Sequence, residues 1–199
     1  PEMWSVTERI TLDELPADGL IRMAGDADVD LIVVGSQAAK RKFPYVLGST
    51  ARTVIHHTGR PVLVARGRVK LSSEPLKVIV ACDEERWADA TGVLREFSWP
   101  TNTAVKLYHV VESFGDDMLD ALADAKNKYD ANASDLVSQY LVSIENRKAE
   151  ATQRLETQRL HGPDLIRNAE VEVDHGEIVD KLVEKVEQDD ADLLVLSSR

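Results

Sequence analysis

Two stretches of this chain are versions of one another. Residues 7–36, TERITLDELPADGLIRMAGDADVDLIVVGS, align without a gap on residues 169–198, AEVEVDHGEIVDKLVEKVEQDDADLLVLSS, at an offset of 162 positions (192 − 30). Glu8 meets Glu170, Asp18 meets Asp180, Leu20 meets Leu182, and Asp28, Asp30, Leu31, Val33 and Ser36 meet Asp190, Asp192, Leu193, Val195 and Ser198. The repeating unit is therefore about one domain long. Each copy reads as an alternating strand (residues 6–11; residues 169–173), an amphipathic helix (about 16–26; about 178–188) and a short apolar strand after an acidic turn. The last strand, rich in β-branched residues, suits a parallel sheet covered on both faces, so the chain is confined to an α/β architecture.

The segment from Asp30 to Gly67 carries the most chemistry. Gly35 stops the strand over residues 31–34, and Gly48-Ser49-Thr50 offers a flexible backbone followed by hydroxyls able to cap a helix. Backbone N–H groups at such a helix start attract phosphate oxygens. The pattern predicts a helix over 51–58, ended by Gly59, and Pro61 then introduces a second buried strand over 62–65.

This layout resembles the universal stress proteins, whose nucleotide-binding members carry Gly-x2-Gly-x9-Gly-Ser/Thr here. The matching residues are Gly35, Ala38, Gly48 and Ser49, with alanine at the middle glycine. A Cβ there costs on the order of 1 kcal/mol if the position needs φ > 0 or close approach of a phosphate. The resemblance implies an open parallel five-stranded sheet of order 3-2-1-4-5 with helices on both faces, in a Rossmann-like α/β fold. It also implies binding of ATP or a related adenine nucleotide, with Mg²⁺ as its companion ion. Val34, Gly35, Ala38, Gly48, Ser49 and Thr50 would form the phosphate side of the site.

The second copy supplies the other half of that pattern. Ala81-Cys82-Asp83 stands at the carboxyl end of a strand over residues 76–81, where open α/β sheets bind ligands. By resemblance Ala81 and Asp83 contact the adenosine part, and Val110, after His109, contacts the base. An aspartate following a strand is also an ordinary helix cap, and Val110 also reads as core. In the second copy's loop Ser197 stands where the first has Gly35.

The chain is cut out of phase with its repeat and looks like a fragment of a tandem protein. Residues 1–67 form the C-terminal part of a first unit, with strands 3 to 5. Residues 68–75, in a polar run ending at Pro75, form a linker, and residues 76–199 the N-terminal part of a second unit, with strands 1 to 4. Strands 3 and 4 are not neighbours in the family order, so either sequence upstream or the second unit fills the place between them, upstream sequence being the expectation. Within the second unit a helix is expected over 87–97 and a strand over 104–111. Residues 114–161 are helical in character, with apolar Met118, Leu119 and Leu122, then Leu136, Tyr140, Leu141 and Ile144, on one face.

Composition narrows the function classes. With 24 basic against 35 acidic residues the net charge is −11, which repels nucleic-acid backbones and anionic membranes. No apolar run approaches the roughly 20 residues of a membrane span, and no signal pattern opens the chain, so a cytoplasmic location is expected. Cys82 is the sole cysteine, which rules out an intrachain disulfide. His109 and His175 lack carboxylate or cysteine partners at ligand spacing, and no metal is assigned. Lys40-Arg41-Lys42 could neutralise phosphate, and His56 and His57 suit the end of a helix.

No motif of a lipase, a zinc protease or a P-loop NTPase is present. An ATP pyrophosphatase of the related adenine-nucleotide alpha-hydrolase fold would need a Ser-Gly-Gly-x-Asp-Ser type loop. This chain has Ala81-Cys82-Asp83-Glu84-Glu85 instead. The expectation is a non-enzymatic, nucleotide-binding stress-response protein acting through conformation and association, its units pairing in dimer-like fashion through strand 5, Val62–Ala65. The alternative is a degenerate member that binds no nucleotide and serves as an assembly module.

Overall fold

The computed structural model describes residues 7–36, 47–66, 75–82, 86–113, 121 and 131–197, with backbone alone at 131–134 and 136. The chain divides into two units, Pro1–Leu71 and Ser72–Arg199.

In the first unit, helix α1 (Pro16–Asp26) begins at a proline, whose missing N–H would have had no intrahelical partner there. Asp18 in its first turn complements the helix dipole. The helix ends in a Schellman turn: Asp28 takes φ 50°, its N–H donates to Gly25 C=O, and Val29 N–H donates to Ala24 C=O at 3.2 Å. Strand β1 (Ile32–Gly35) follows, then helix α2 (Ser49–His57) and strand β2 (Val62–Ala65). The two strands pair in parallel, Ile32 opposite Val62 and Gly35 opposite Ala65. Their inward residues pack with both helices through Ala24, Ile32, Val34, Ala51 and Val54. Each large aliphatic side chain buried this way contributes about 1.5–3 kcal/mol.

Residues 7–11, the described part of the strand expected over 6–11, adopt none. A strand is held by its ladder, and among the described residues of the first unit the sheet is β1–β2 alone, leaving these residues no neighbour to pair with.

In the second unit the elements run strand β3 (Lys77–Ala81), helix α3 (Trp87–Gly92), strand β4 (Ala104–Glu112), helix α4 (Ala131–His161), the short helix α5 (Asp164–Arg167), strand β5 (Glu170–Gly176), helix α6 (Ile178–Gln188) and strand β6 (Leu193–Leu196). The expected helix over 87–97 splits at Gly92 into α3 and a 3-10 turn, Val93–Glu96. Glycine is a poor helix former, and the tighter turn seats Leu94 in the core while its carbonyl accepts from the Trp99 indole at 2.7 Å. Of the helical stretch expected over 114–161, α4 covers 131 onward, about 46 Å of helix. Residues 114–120 and 122–130 lie outside the described residues.

All four strands are parallel, in the order β5-β4-β3-β6. In the numbering of the sequence analysis this is 3-2-1-4. No five-stranded sheet forms among the described residues; a two-stranded and a four-stranded sheet take its place. One face of the larger sheet, Val78, Val80, Val105 and Leu107, packs against Ala90, Leu94, Leu155 and Ile166 of the helices. The other, with Ile79, Tyr108, Val110 and Leu194, is covered by Leu182 and Val186 of α6. Helices on both faces explain why β3 is apolar from Val78 to Ala81.

Candidate functional site

At the carboxyl end of β1 the chain leaves the sheet and returns to open α2. Val34 is buried beneath it, and Ser36 N–H donates to Ala65 C=O at 2.9 Å, fixing the exit point on the sheet. The return is tied to the exit: Gly48 N–H donates to Ser36 C=O at 3.0 Å. Gly48 is the N-cap of α2, in extended conformation, and neither Ser49 nor Thr50 caps the helix, since both lie in its first turn. The first intrahelical bond runs from Arg52 N–H to Gly48 C=O, so the N–H groups of Ser49, Thr50 and Ala51 precede it. Ser49 is exposed and Thr50 half-buried.

The two glycines have room above them. A Cβ on Gly35 would meet nothing within 4 Å, and one on Gly48 would meet only the Ser36 carbonyl oxygen at 3.7 Å. Neither holds a positive φ. Among the described residues, then, neither backbone strain nor packing demands glycine at either place. Ala38 and the basic run 40–42 lie outside the described residues.

In the second unit Ala81 ends β3, in register with Tyr108 and Leu196. Cys82 N–H donates to Tyr108 C=O at 2.8 Å, and His109 Nδ1 lies 2.7 Å from the Cys82 carbonyl oxygen. The Cys82 thiol is buried, and that burial pushes its pKa up to about 12. Val110 falls within β4 rather than beyond it, and its side chain is core, packed with Ile79 and Tyr108. Asp83 lies outside the described residues. The structure thus brings Val34, Gly35, Gly48, Ser49 and Thr50 together in one unit and places Ala81 and Val110 in the other.

Sequence reasoning missed a ring of ion pairs under α6. Lys106 Nζ lies 2.8 Å from Glu172 Oε2 and 2.7 Å from Asp189 Oδ2; Lys185 Nζ lies 2.6 Å from Glu172 Oε1 and 3.5 Å from Asp189 Oδ1. Tyr108 Oη donates to Asp174 at 3.3 Å alongside. Burial works against the charge on Glu172 and Asp189, but the two lysines outweigh it and hold both carboxyls below their ordinary range. Desolvation pushes the Tyr108 hydroxyl up, and Asp174 adds to it. One signal was available: Lys106 interrupts the otherwise apolar run at the start of β4. A cavity of about 340 Å³ opens beside the ring, lined by Lys77, Ala104, Lys106 and Asp189. It sits at the amino ends of β3 and β4, the opposite end from the ligand sites of open α/β sheets.

Parallel strands covered by helices define an α/β protein, and its first unit joins a strand end to a helix N-terminus through clasped glycine-bounded residues. Residues 4–66 match the model of the universal stress protein family. The comparison with curated proteins gave no match. Among solved structures the chain is similar to a universal stress protein from Archaeoglobus fulgidus DSM 4304, at 20% identity and a TM-score of 0.48, over 90% of this chain and 52% of that one. The chain spans about half the length of that protein.

Proposed function

We propose that this chain is part of a universal stress protein that binds ATP or a related adenine nucleotide and acts by conformation and association rather than turnover. The observation that carries the reading is the clasp between Ser36 and Gly48, which sets the start of α2 against the end of β1 with no described residue crowding either glycine. Phosphate fits such a place: the N–H groups of Ser49, Thr50 and Ala51 and the hydroxyls of Ser49 and Thr50 would hold its oxygens. Bound ATP, with Mg²⁺, would supply the negative charge these donors select. Pairing through β2 belongs to the same reading, because among the described residues β2 is bonded on one side only, to β1.

The second reading, a nucleotide-free assembly module, draws on Ala38 in the first loop and on Ser197 at the repeat position of Gly35. Purified protein, this chain and any longer parent, is denatured and the supernatant assayed for adenine nucleotide. Stoichiometric release supports the binding reading. Empty protein that also fails to bind added ATP with Mg²⁺ transfers the assignment to the assembly role.

A further inference from the structure

The two copies of the repeat use opposite chemistry in the same layer. In the second unit Glu172 and Asp174 of β5 face α6, where Lys185 and Asp189 close the ring on Lys106. The equivalent residues of the first unit are Ile10 for Glu172, Leu12 for Asp174, Gly19 for Lys181, Met23 for Lys185 and Ala27 for Asp189. The equivalence is spatial as well as sequential: Leu12 Cδ1 lies against α1 at Gly19, 2.9 Å from where a Cβ would stand. One set of positions is ionic; the other is apolar, with Ile10 50% and Leu12 37% exposed.

A chain carrying two similar modules is exposed to pairing the wrong copy during folding. We infer that Lys106, with Glu172, Lys185 and Asp189, is a pairing code that makes β4 accept the segment 170–189 and reject the segment 8–27. The Lys106 side chain is only 16% exposed and has three acidic partners in the correct pairing. Beside Ile10, Met23 and Ala27 it would lose its two nearer partners, Glu172 and Asp189, and keep only Glu8 in the place of Glu170, the farthest of the three at 3.5 Å; a poorly solvated ammonium left with that one exposed carboxylate is a penalty against the arrangement. Discrimination by unpaired charge works even where the attractive ring itself adds little net stability, so the code acts on choice of partner.

Disulfide trapping in the full 199-residue chain, in a Cys82→Ala background, reads the choice directly. Leu107 and Val171 are register partners, so Leu107→Cys with Val171→Cys traps the correct pairing, and Leu107→Cys with Arg9→Cys traps the wrong one. After refolding in a glutathione buffer, the native ring should give the correct crosslink and about a hundredfold less of the wrong one. Removing the code with Lys106→Leu, Glu172→Ile, Lys185→Met and Asp189→Ala should bring the wrong crosslink to a comparable level. Should that variant not fold, Ile10→Glu, Met23→Lys and Ala27→Asp on the native ring write the code into the first copy and should raise the 9–107 crosslink at least tenfold. A wrong crosslink that forms as readily with the native ring, or that stays at background in every folded variant of these two sets, overturns the inference.

Discussion

Asp28 and Asp190, 162 positions apart, hold the same left-handed backbone, φ 50° and 48°, at the same place in equivalent helix ends. In each, the next residue's N–H reaches back to the third-last helical residue, Val29 to Ala24 and Ala191 to Val186, at 3.2 and 3.0 Å. An apolar contact accompanies each turn in its own core. The turn aims the following strand under its helix, so the repeat is alike at its corner although the positions of Glu172, Lys185 and Asp189 in the second copy are uncharged in the first. Aspartate tolerates this conformation and a β-branched residue does not. Asp28→Val and Asp190→Val should each cost about 1–2 kcal/mol, read as a lowered urea midpoint, while asparagine at either place should be close to neutral.

Lys185 is buried over Tyr108 and bonded to Glu172. Lys185→Met should destabilise the second unit by about 2–3 kcal/mol, below the roughly 3–5 of a fully buried pair because Glu172 remains one-third exposed. Trp87 and Trp99 pack on that unit's core, so their fluorescence during denaturation reports it. No change in the midpoint would mean that water solvates Glu172 well enough to replace the lysine.

The carboxyls of Glu172, Asp174 and Asp189 are all held below their ordinary values of 4.5, 3.8 and 3.8 in the folded chain. The unfolded chain therefore binds protons more readily, and the stability these groups contribute is fully present above about pH 5. It is lost as pH falls through the native values. Urea midpoints followed by tryptophan fluorescence should be flat from pH 5 to 7 and fall steeply below pH 4. In Lys106→Met the fall should be shallower, because removing the lysine brings the carboxyls of Glu172 and Asp189 back toward their unfolded values.

Burial that pushes the Cys82 thiol to about 12 leaves almost no thiolate at neutral pH. A thiol reagent should leave the native chain unlabelled and react fully in denaturant, with native labelling no faster than unfolding. Rapid labelling would show that the end of β3 opens on its own.

Gly48→Ala separates folding from binding. Its Cβ would meet only the Ser36 oxygen at ordinary contact distance, so the unfolding midpoint should shift by less than about 0.5 kcal/mol. Nucleotide affinity should fall at least tenfold, Gly48→Val should abolish it, and Ala38→Gly should leave it unchanged or improve it. Unaltered affinity in all three would remove this loop from the site.

Local pattern carried far into the fold. Helices expected at about 16–26 and 178–188 are α1 and α6 at those bounds, because proline at one start and the 3.6-residue apolar spacing in both are properties of adjacent residues. The strand over 62–65 is β2, and the apolar runs near 31–34, 76–81 and 104–111 became β1, β3 and β4 with ends moved by one residue. Of the candidate site, the spacing of Gly35 and Gly48 is a property of the sequence, but the bond that ties Ser36 to Gly48 follows from how β1 and α2 pack.

What the sequence determined by itself was local pattern: the helices at 16–26 and 178–188, the short apolar strands, and the recurrence of one stretch of sequence 162 positions on. Tertiary structure decided what each alternating face meets. Period-two patterning in 169–174 shows two faces, but only the packing of α6 turned Glu172 and Asp174 from a solvent face into half of an ion-pair layer. Similar alternation over 6–11 made no strand in its described part, 7–11, because a strand exists only with a neighbour to complete its hydrogen bonds, and that neighbour is not a local property of the chain.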